Sequence, residues 1–433
     1  MLASFERMRE EPDQAEVTVI GGGMAGMAAS IHLAKAGFHV LCLETESSSA
    51  PVGESLDWSA PALLAQLGLP MERLLGEKAA TYKAKVTVQL PDGSVRHYIP
   101  GEWLAKPPYN VELRTLHVDR SQLDASLREI MRDAGVELSV DRVIDVEKEG
   151  KRVVAVKTAS GRRIASSWFI DATGGSALFP RTFGLTAIPY GPKKVAMWAY
   201  FQVAETVQGT TLYMDGEPPY MEWIWEIPIH DNLISVGYVA SGDAIRERRR
   251  QGLDVEAIFR ERLSRIPRFA ALLDPARPLV PNVTSFQCRV HKGLAGPNWA
   301  VVGESAVMVD PMTSNGVTAA LRHSAEAAAM IVRARHRGRL PLVARTLYSK
   351  RIVDLGRFFN CGIEKTIYDR PIRGRLGVLT AGRIYTVPAW VLNAVYSRLQ
   401  PDGVLSTILF GAVLNLFRAA GVVLNALCSW GAA

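Results

Sequence analysis

The sequence predicts an α/β chain: a Rossmann-type dinucleotide-binding domain, an antiparallel β-sheet substrate domain inserted into it, and a helical C-terminal region. Three observations predict this. Gly21, Gly23 and Gly26 form a G-x-G-x-x-G turn between an apolar strand and an apolar helix. Residues 195–240 are dense in β-formers and aromatics (MWAYFQV, TLYMDG, WIWEIP, LISVGYV). From about residue 316 onward the pattern is mostly helical.

Taken in order, the strand Val17–Ile20 leads through the glycine turn into a helix from about Ala25 to Ala36, which ends at Gly37. His39–Glu44 (HVLCLE) is the second strand of this βαβ unit. Alternation over about 84–114, broken by a Pro-Asp-Gly turn, predicts strands. An amphipathic helix over 119–135, strands within 136–157 and a strand running into a glycine turn at Ser166–Gly175 follow. After the 195–240 sheet come helical residues 253–275, a strand at Asn298–Val302 and a long helix over about 316–336. Residues 14–85, 115–190 and 285–340 are expected to build the nucleotide domain. Residues 86–114 and 191–284 are expected to build the sheet domain, and 341–433 the C-terminal region.

Composition narrows the class. Hydrophobic residues at 48% and charged residues at 21% fit a chain that buries a sizeable core. The net charge of +7 is spread along the chain, with runs only at Arg246–Arg250 and Arg333–Arg339. Without aromatics interleaved on a basic face, these runs read as solvated helix ends or turns and not as a nucleic-acid interface. An anionic partner suits the charge: a nucleotide cofactor, a carrier protein or a lipid surface. Four scattered cysteines, Cys42, Cys288, Cys361 and Cys428, include no C-x-x-C. They speak against a disulfide framework or a metal site and for a reducing cytoplasm. The opening residues, MLASFERMREEPDQ, carry acids and no apolar stretch, unlike a signal peptide. Val404–Trp430 is nearly all apolar but is interrupted by Asn415, Arg418 and Asn425. A helix packed on the body, an interfacial anchor making peripheral membrane contact or a hydrophobic substrate mouth, and a span all stay open, with Arg418 arguing against a span.

The glycine turn carries the first functional signal. Gly21 permits the tight turn, Gly23 lets a pyrophosphate approach the backbone, and Gly26 lets helix and strand pack closely. Met24 and Ala25 open the helix, whose free N–H groups meet phosphate. Glu44 closes the second strand, where a carboxylate binds a ribose hydroxyl.

Later segments resemble the FAD-dependent monooxygenase superfamily. These are Asp171–Gly175 (DATGG, with Gly174), Gly303–Ser305 (GES, with Glu304 where the family usually has Asp), Asp310–Gly316 (DPMTSNG, with Pro311) and Arg120 in VDRSQLDASL. Gly53–Leu56 (GESL) is similar to a flavin-side segment of that family and makes Glu54 and Ser55 candidate cofactor contacts. Within the superfamily, Trp223–Pro228 (WIWEIP) fits the W-x-W-x-I-P pattern of flavin-dependent halogenases. Trp223 and Trp225, two apart on a strand, face one side and can form one aromatic wall, to which the resemblance adds Pro228. The resemblance implies that this wall separates flavin from substrate. Tyr82-Lys83, after a Leu-Gly-Leu-Pro segment, resembles the family's aromatic-Lys pair, which makes Lys83 the candidate catalytic lysine; Lys85 is expected on the same strand face. Ser314, Asn315 and Gly316 match the family's halide segment at a helix N-terminus. Thr313 stands where tryptophan halogenases carry a glutamate, which turns the expected substrate from free tryptophan to a phenol or pyrrole.

The resemblance implies a two-component enzyme. FAD reduced by a separate NAD(P)H-dependent flavin reductase reacts with dioxygen to a C4a-hydroperoxide. Chloride or bromide is oxidised to hypohalous acid, and a small aromatic substrate, free or on a carrier protein, is halogenated at Lys83. No second G-x-G-x-x-G is present for a nicotinamide. The expected location is cytoplasmic, with membrane association left open. Two other readings stand beside it: a hydroxylase, dehydrogenase or isoprenoid reductase on the same frame, and a tethered flavin-carrying scaffold without turnover.

Overall fold

The computed structural model describes residues 15–45, 52–99, 102, 105–107, 110, 112–216, 221–274 and 276–363, together with Tyr368, Ile408, Ala412 and Leu416. A five-stranded parallel sheet lies at its base, in the order Trp299–Val301, Trp168–Asp171, Val17–Ile20, Val40–Glu44, Glu137–Val140. The central strand Val17–Ile20 is buried along its whole length, the continuous apolar reading expected of a parallel strand covered on both faces. Its crossover is the helix Met24–Lys35, rich in small residues. Small side chains let it pack closely on the long helix Gly316–Ala334, to which it is tied where Ser324 donates to the carbonyl of Ala25 (2.7 Å). Gly303 closes the same junction. Its φ is +61°, and a Cβ there would stand 2.6 Å from that of Ala25.

An eight-stranded sheet rises from this base, in the order Val307–Met308, Asn282–His291, Ala187–Gln202, Leu233–Ser241, Glu222–His230, Thr210–Asp215, Val86–Gln89, Val95–Tyr98. Pairing is antiparallel except between Thr210–Asp215 and Val86–Gln89. The sheet reaches further than 195–240. Ala187–Gln202 and Asn282–His291 run unbroken across the positions 190 and 285 at which domain boundaries were expected, because each is pinned to the other along most of its length. Lys85 does not share a strand with Lys83: one strand ends at Tyr82 and the next begins at Val86.

Glu222–His230 shows why the sheet is two-faced. Trp223, Trp225 and Ile227 point into one apolar cluster with Trp198, Leu212, Met214 and Tyr368. Ile224 points to the other face, toward Phe259 and Leu263. Glu222 and Glu226 alternate with the tryptophans and are buried. Buried carboxylates need partners. Glu222 takes Tyr238 Oη (2.7 Å), Arg248 (2.8 Å) and Arg262, and Glu226 takes Tyr213 Oη (2.8 Å) and Arg268 (2.7 Å). The arginine run 246–250 is thus only partly a solvated end: Arg246, Arg249 and Arg250 are exposed, while Arg248 reaches inward. In the second run, Arg335 pairs with Glu16 (2.8 Å) and covers the ring of Phe38.

The apolar segment Val404–Trp430 lies outside the described residues, apart from Ile408, Ala412 and Leu416, which are helical and exposed. No helix among the described residues is long and apolar enough to cross a membrane.

Gly237 sits opposite Trp225 across the strand pair, and a Cβ there would overlap the indole. Gly237→Ala should destabilise the fold by about 2 kcal/mol through overpacking, read by urea denaturation. Gly76→Ala, with nothing within 4 Å of the added methyl, should stay within about 0.5 kcal/mol.

Candidate active site

The glycine turn is shaped to receive a pyrophosphate. Gly21 has φ +110°, and a side chain there would strike the carbonyl of Ala172; one on Gly26 would strike the carbonyl of Gly21. Gly23 is different: it is exposed, and nothing lies within 4 Å of where its Cβ would be. It caps the helix Met24–Lys35, whose first turn holds no acid, so the N-terminal dipole is left for an anion. Glu44 packs its side chain against Gly22 and is held by Arg128 (2.7 Å). An open glycine turn at a helix N-terminus, with a carboxylate beside it, fits a dinucleotide.

Several acids expected at the cofactor are instead engaged by the protein. Asp171 is fully buried and accepts from Thr173 N (2.9 Å), Thr173 Oγ1 (2.7 Å), Ser305 Oγ (3.2 Å) and Phe179 N (2.6 Å). It therefore shapes the turn that carries Gly174 (φ +59°). Glu54 accepts from Tyr200 Oη (2.9 Å), and burial pushes its carboxyl above the usual range. Arg120 opens its helix, pairs with Asp124 (3.1 Å) and donates to the carbonyl of Val52. Glu304 is half-exposed and faces Arg289 at 3.9 Å.

Lys83 is the centre of the second part. It follows the short strand Ala80–Tyr82, is 5% exposed, and donates from Nζ to the carbonyl of Leu56 (3.0 Å) and to Ser314 Oγ (3.3 Å). The ring of Trp58 lies 5.4 Å from Nζ. Burial pulls the lysine down to about 8, opposed by the negative charge of Asp57. Asp57 is itself occupied, accepting from Ser59 N (2.8 Å), Ala60 N (3.2 Å) and Thr318 Oγ1 (2.7 Å).

Ser314 reaches Lys83 because it stands in the left-handed region (φ +57°) at the end of the short turn Pro311–Thr313, directly before the long helix. Asp310 caps that turn by accepting from Met312 N (3.1 Å) and forms a buried ion pair with Lys194 (3.0 Å). Asn315 is buried at the helix start, while Gly316 is exposed with open space at its Cβ position. Met312 packs on the cluster that holds Trp223 and Trp225, whose ring centroids are 5.8 Å apart. Trp223 Nε1 donates to Tyr368 Oη (3.1 Å), and Trp225 Nε1 donates to Ser235 Oγ (3.1 Å). Pro228 lies past the last residue paired to Thr210–Asp215, so its carbonyl is available and accepts from Thr81 Oγ1 (3.0 Å).

The structure thus brings Lys83, Ser314 and Ser55 together, joins Pro228 to the strand before Lys83 through Thr81, and packs Met312 on the cluster of the two tryptophans. Sequence reasoning missed Asp57, Trp58, His117, Thr210 and Lys194. Their contacts span long separations, such as 116 residues for Lys194 and Asp310, and no local pattern announces them.

Comparisons with known proteins bear on the family and the fold. The family model "Tryptophan halogenase" matches residues 109–334, and the model "Lycopene cyclase protein" matches residues 16–191, which include the glycine turn. A tryptophan 2-halogenase of Chondromyces crocatus is 28% identical over 93% of this chain and 76% of its own length. A 1H-pyrrole-2-carbonyl-[peptidyl-carrier protein] brominase of Pseudoalteromonas luteoviolacea is 27% identical over 74% of this chain and 77% of its own. Across three curated relatives the chain spans 65% to 76% of the relative's length. The structure of halogenase PltM in complex with phloroglucinol and FAD superposes with a TM-score of 0.73, at 15% identity, over 96% of this chain and 92% of that one, a likeness of fold.

Gly23→Ala should fold normally, since its methyl meets nothing, yet lower FAD affinity at least about tenfold by filling the cradle. Fluorescence titration of FAD checks this, and unchanged affinity would place the pyrophosphate elsewhere.

Proposed function

The chain belongs to the tryptophan halogenase family, and on that premise we propose that it halogenates an electron-rich arene at Lys83, using hypohalous acid made with FAD reduced in trans. The observation that carries this reading is a buried lysine held by the hydroxyl of Ser314 just before the long helix, with Met312 of the same turn packed on the paired tryptophans.

The residues divide the work. Gly21, Gly23 and Gly26, with Met24, Ala25 and Glu44, hold the dinucleotide portion of FAD. Arg120, Gly174, Gly303 and Pro311 would hold the rest of the cofactor, with Asp171 and Glu54 shaping the turns beneath. When bound and reduced, the flavin supplies the oxidation of halide by dioxygen. Backbone N–H groups of Asn315 and Gly316 bind chloride or bromide at the helix N-terminus, where the dipole favours an anion. Trp223 and Trp225 keep flavin and arene apart, so that hypohalous acid is the only oxidant passed on. Lys83 receives it: a desolvated amine is nucleophilic toward halogen, and its fixed position orients the electrophile.

The substrate class follows from a missing carboxylate. Thr313 donates to the carbonyl of Asp310 (2.9 Å), and the acid whose field reaches Lys83, Asp57, is tied through Oδ1 to Ser59, Ala60 and Thr318. A ring that sheds its proton readily, a phenol or pyrrole, needs no such acid. The pyrrole relative, named for a carrier-bound substrate, supports a free or carrier-tethered arene. A separate NAD(P)H-dependent flavin reductase is the partner that returns FAD to its reduced form.

Lys83→Met should abolish product halogenation, by at least about a hundredfold, while halide-dependent hypohalous acid remains detectable by a small-molecule trap. Retained halogenation would remove Lys83 from the reaction. The neutral amine is the reactive form, so halogenation should not fall as pH rises through about 8. A rate that falls through that range would show that the ammonium form acts.

A further inference from the structure

Behind Lys83 runs a chain of hydroxyls that ends on a buried imidazole. Ser314 Oγ, which accepts from Lys83, donates to Ser55 Oγ (3.1 Å); Ser55 Oγ lies 3.0 Å from Thr210 Oγ1; and Thr210 Oγ1 lies 2.9 Å from His117 Nε2. Beyond the ring, His117 Nδ1 lies 3.5 Å from Thr81 Oγ1, which donates to the carbonyl of Pro228 (3.0 Å). His117 is 0% exposed, and Ser55 and Thr210 are buried.

The far end fixes the direction of every bond. A carbonyl only accepts, so the single proton of Thr81 goes to Pro228 and its oxygen must accept from Nδ1–H. The proton of neutral imidazole is then on Nδ1, and Nε2 accepts from Thr210. Thr210 in turn accepts from Ser55, Ser55 from Ser314, and Ser314 from Lys83. All the bonds point one way, from the ammonium to the imidazole.

We propose that His117 is the proton acceptor for Lys83, drawing a proton through Ser314, Ser55 and Thr210 so that Lys83 meets the halogen donor as a free amine. This rests on the halogenase reading above. In the step, the N–H bond of Lys83 to Ser314 breaks, each hydroxyl gains one proton and passes on its own, and an N–H bond forms at His117 Nε2. Lysinium and neutral histidine become lysine and histidinium, with no heavy atom displaced. The amine lone pair then takes halogen from hypohalous acid; the O–X bond breaks, and the departing hydroxide leaves as water with an amine proton. Transfer of halogen to the arene returns the ring proton to the amine, and the wire restores the lysinium. Burial and the lysine charge hold His117 well below the usual histidine range, so the resting state is the one-way chain and histidinium is transient. The charged groups bearing on Lys83 are Asp57, and through it Arg322; on His117, Lys83. His117 touches no reactant and is a positioning residue.

The test is a pH titration of the full-length protein labelled with ¹⁵N at lysine and histidine. In the wild type, the His117 ring nitrogens should shift with the same midpoint as Lys83 Nζ, and Lys83→Met should erase that step. Thr210→Val, near-isosteric and without a hydroxyl, should uncouple the two and lower arene halogenation at least about tenfold, and Thr210→Ser should restore both. His117 signals indifferent to Lys83 ionisation in the wild type, or full coupling in Thr210→Val, would overturn the proposal. The first of these is read without any variant. Failure of the parent reading looks different: no hypohalous acid trapped from wild type, whatever the titration shows.

Discussion

One hydrogen bond organises this active site, that from Lys83 Nζ to Ser314 Oγ. A lysine 5% exposed is held against a large desolvation penalty and stays only where its donors are met. The groups that meet them come from three places: the carbonyl of Leu56 in the turn before the helix Ala60–Leu67, the hydroxyl of Ser314 before the long helix, and the face of Trp58. Ser314 is offered only because its backbone is left-handed, and that turn is set by Asp310, which a buried Lys194 neutralises. Lys83 is therefore where the nucleotide domain and the eight-stranded sheet meet.

The sheet contributes through one strand with two unlike faces. On Glu222–His230 the tryptophans turn into an apolar cluster with Trp198, Leu212 and Met214, and the glutamates turn to the arginines of the covering helices. Each carboxylate is buried and paired, so the strand cannot slip by one residue without exposing tryptophan and stranding charge. This pins the register of the wall. Gly237 gives the indole of Trp225 its bed, and the carbonyl of Pro228 anchors Thr81 and hence the strand that leads into Lys83.

What the sequence disclosed follows the physics of locality. Gly21, Gly23 and Gly26 are legible because their spacing marks one strand-to-helix turn, and Trp223 and Trp225 because strand alternation puts them on one face. Lys83 and Ser314 were visible as motif members, but their contact spans 231 residues and belongs to tertiary structure. His117 and Thr210, 93 residues apart, carry no pattern at all. Glu54 and Asp171 read as cofactor acids because a motif reports type and place, not where a side chain turns; in the fold Asp171 accepts from Thr173, Ser305 and Phe179, and Glu54 from Tyr200. The boundaries expected at 190 and 285 fell inside strands because β-pairing partners far apart in sequence decide where a strand ends.

The central claim is that oxidising power reaches the arene as hypohalous acid. The most direct measurement mixes the protein, loaded with reduced FAD, with dioxygen in stopped flow across a range of bromide and chloride concentrations. A flavin reoxidation phase that accelerates with halide and saturates, matched by trapped hypohalous acid, is the predicted result. Reoxidation indifferent to halide, with none trapped, would contradict the account and leave a hydroxylase or dehydrogenase on the same frame.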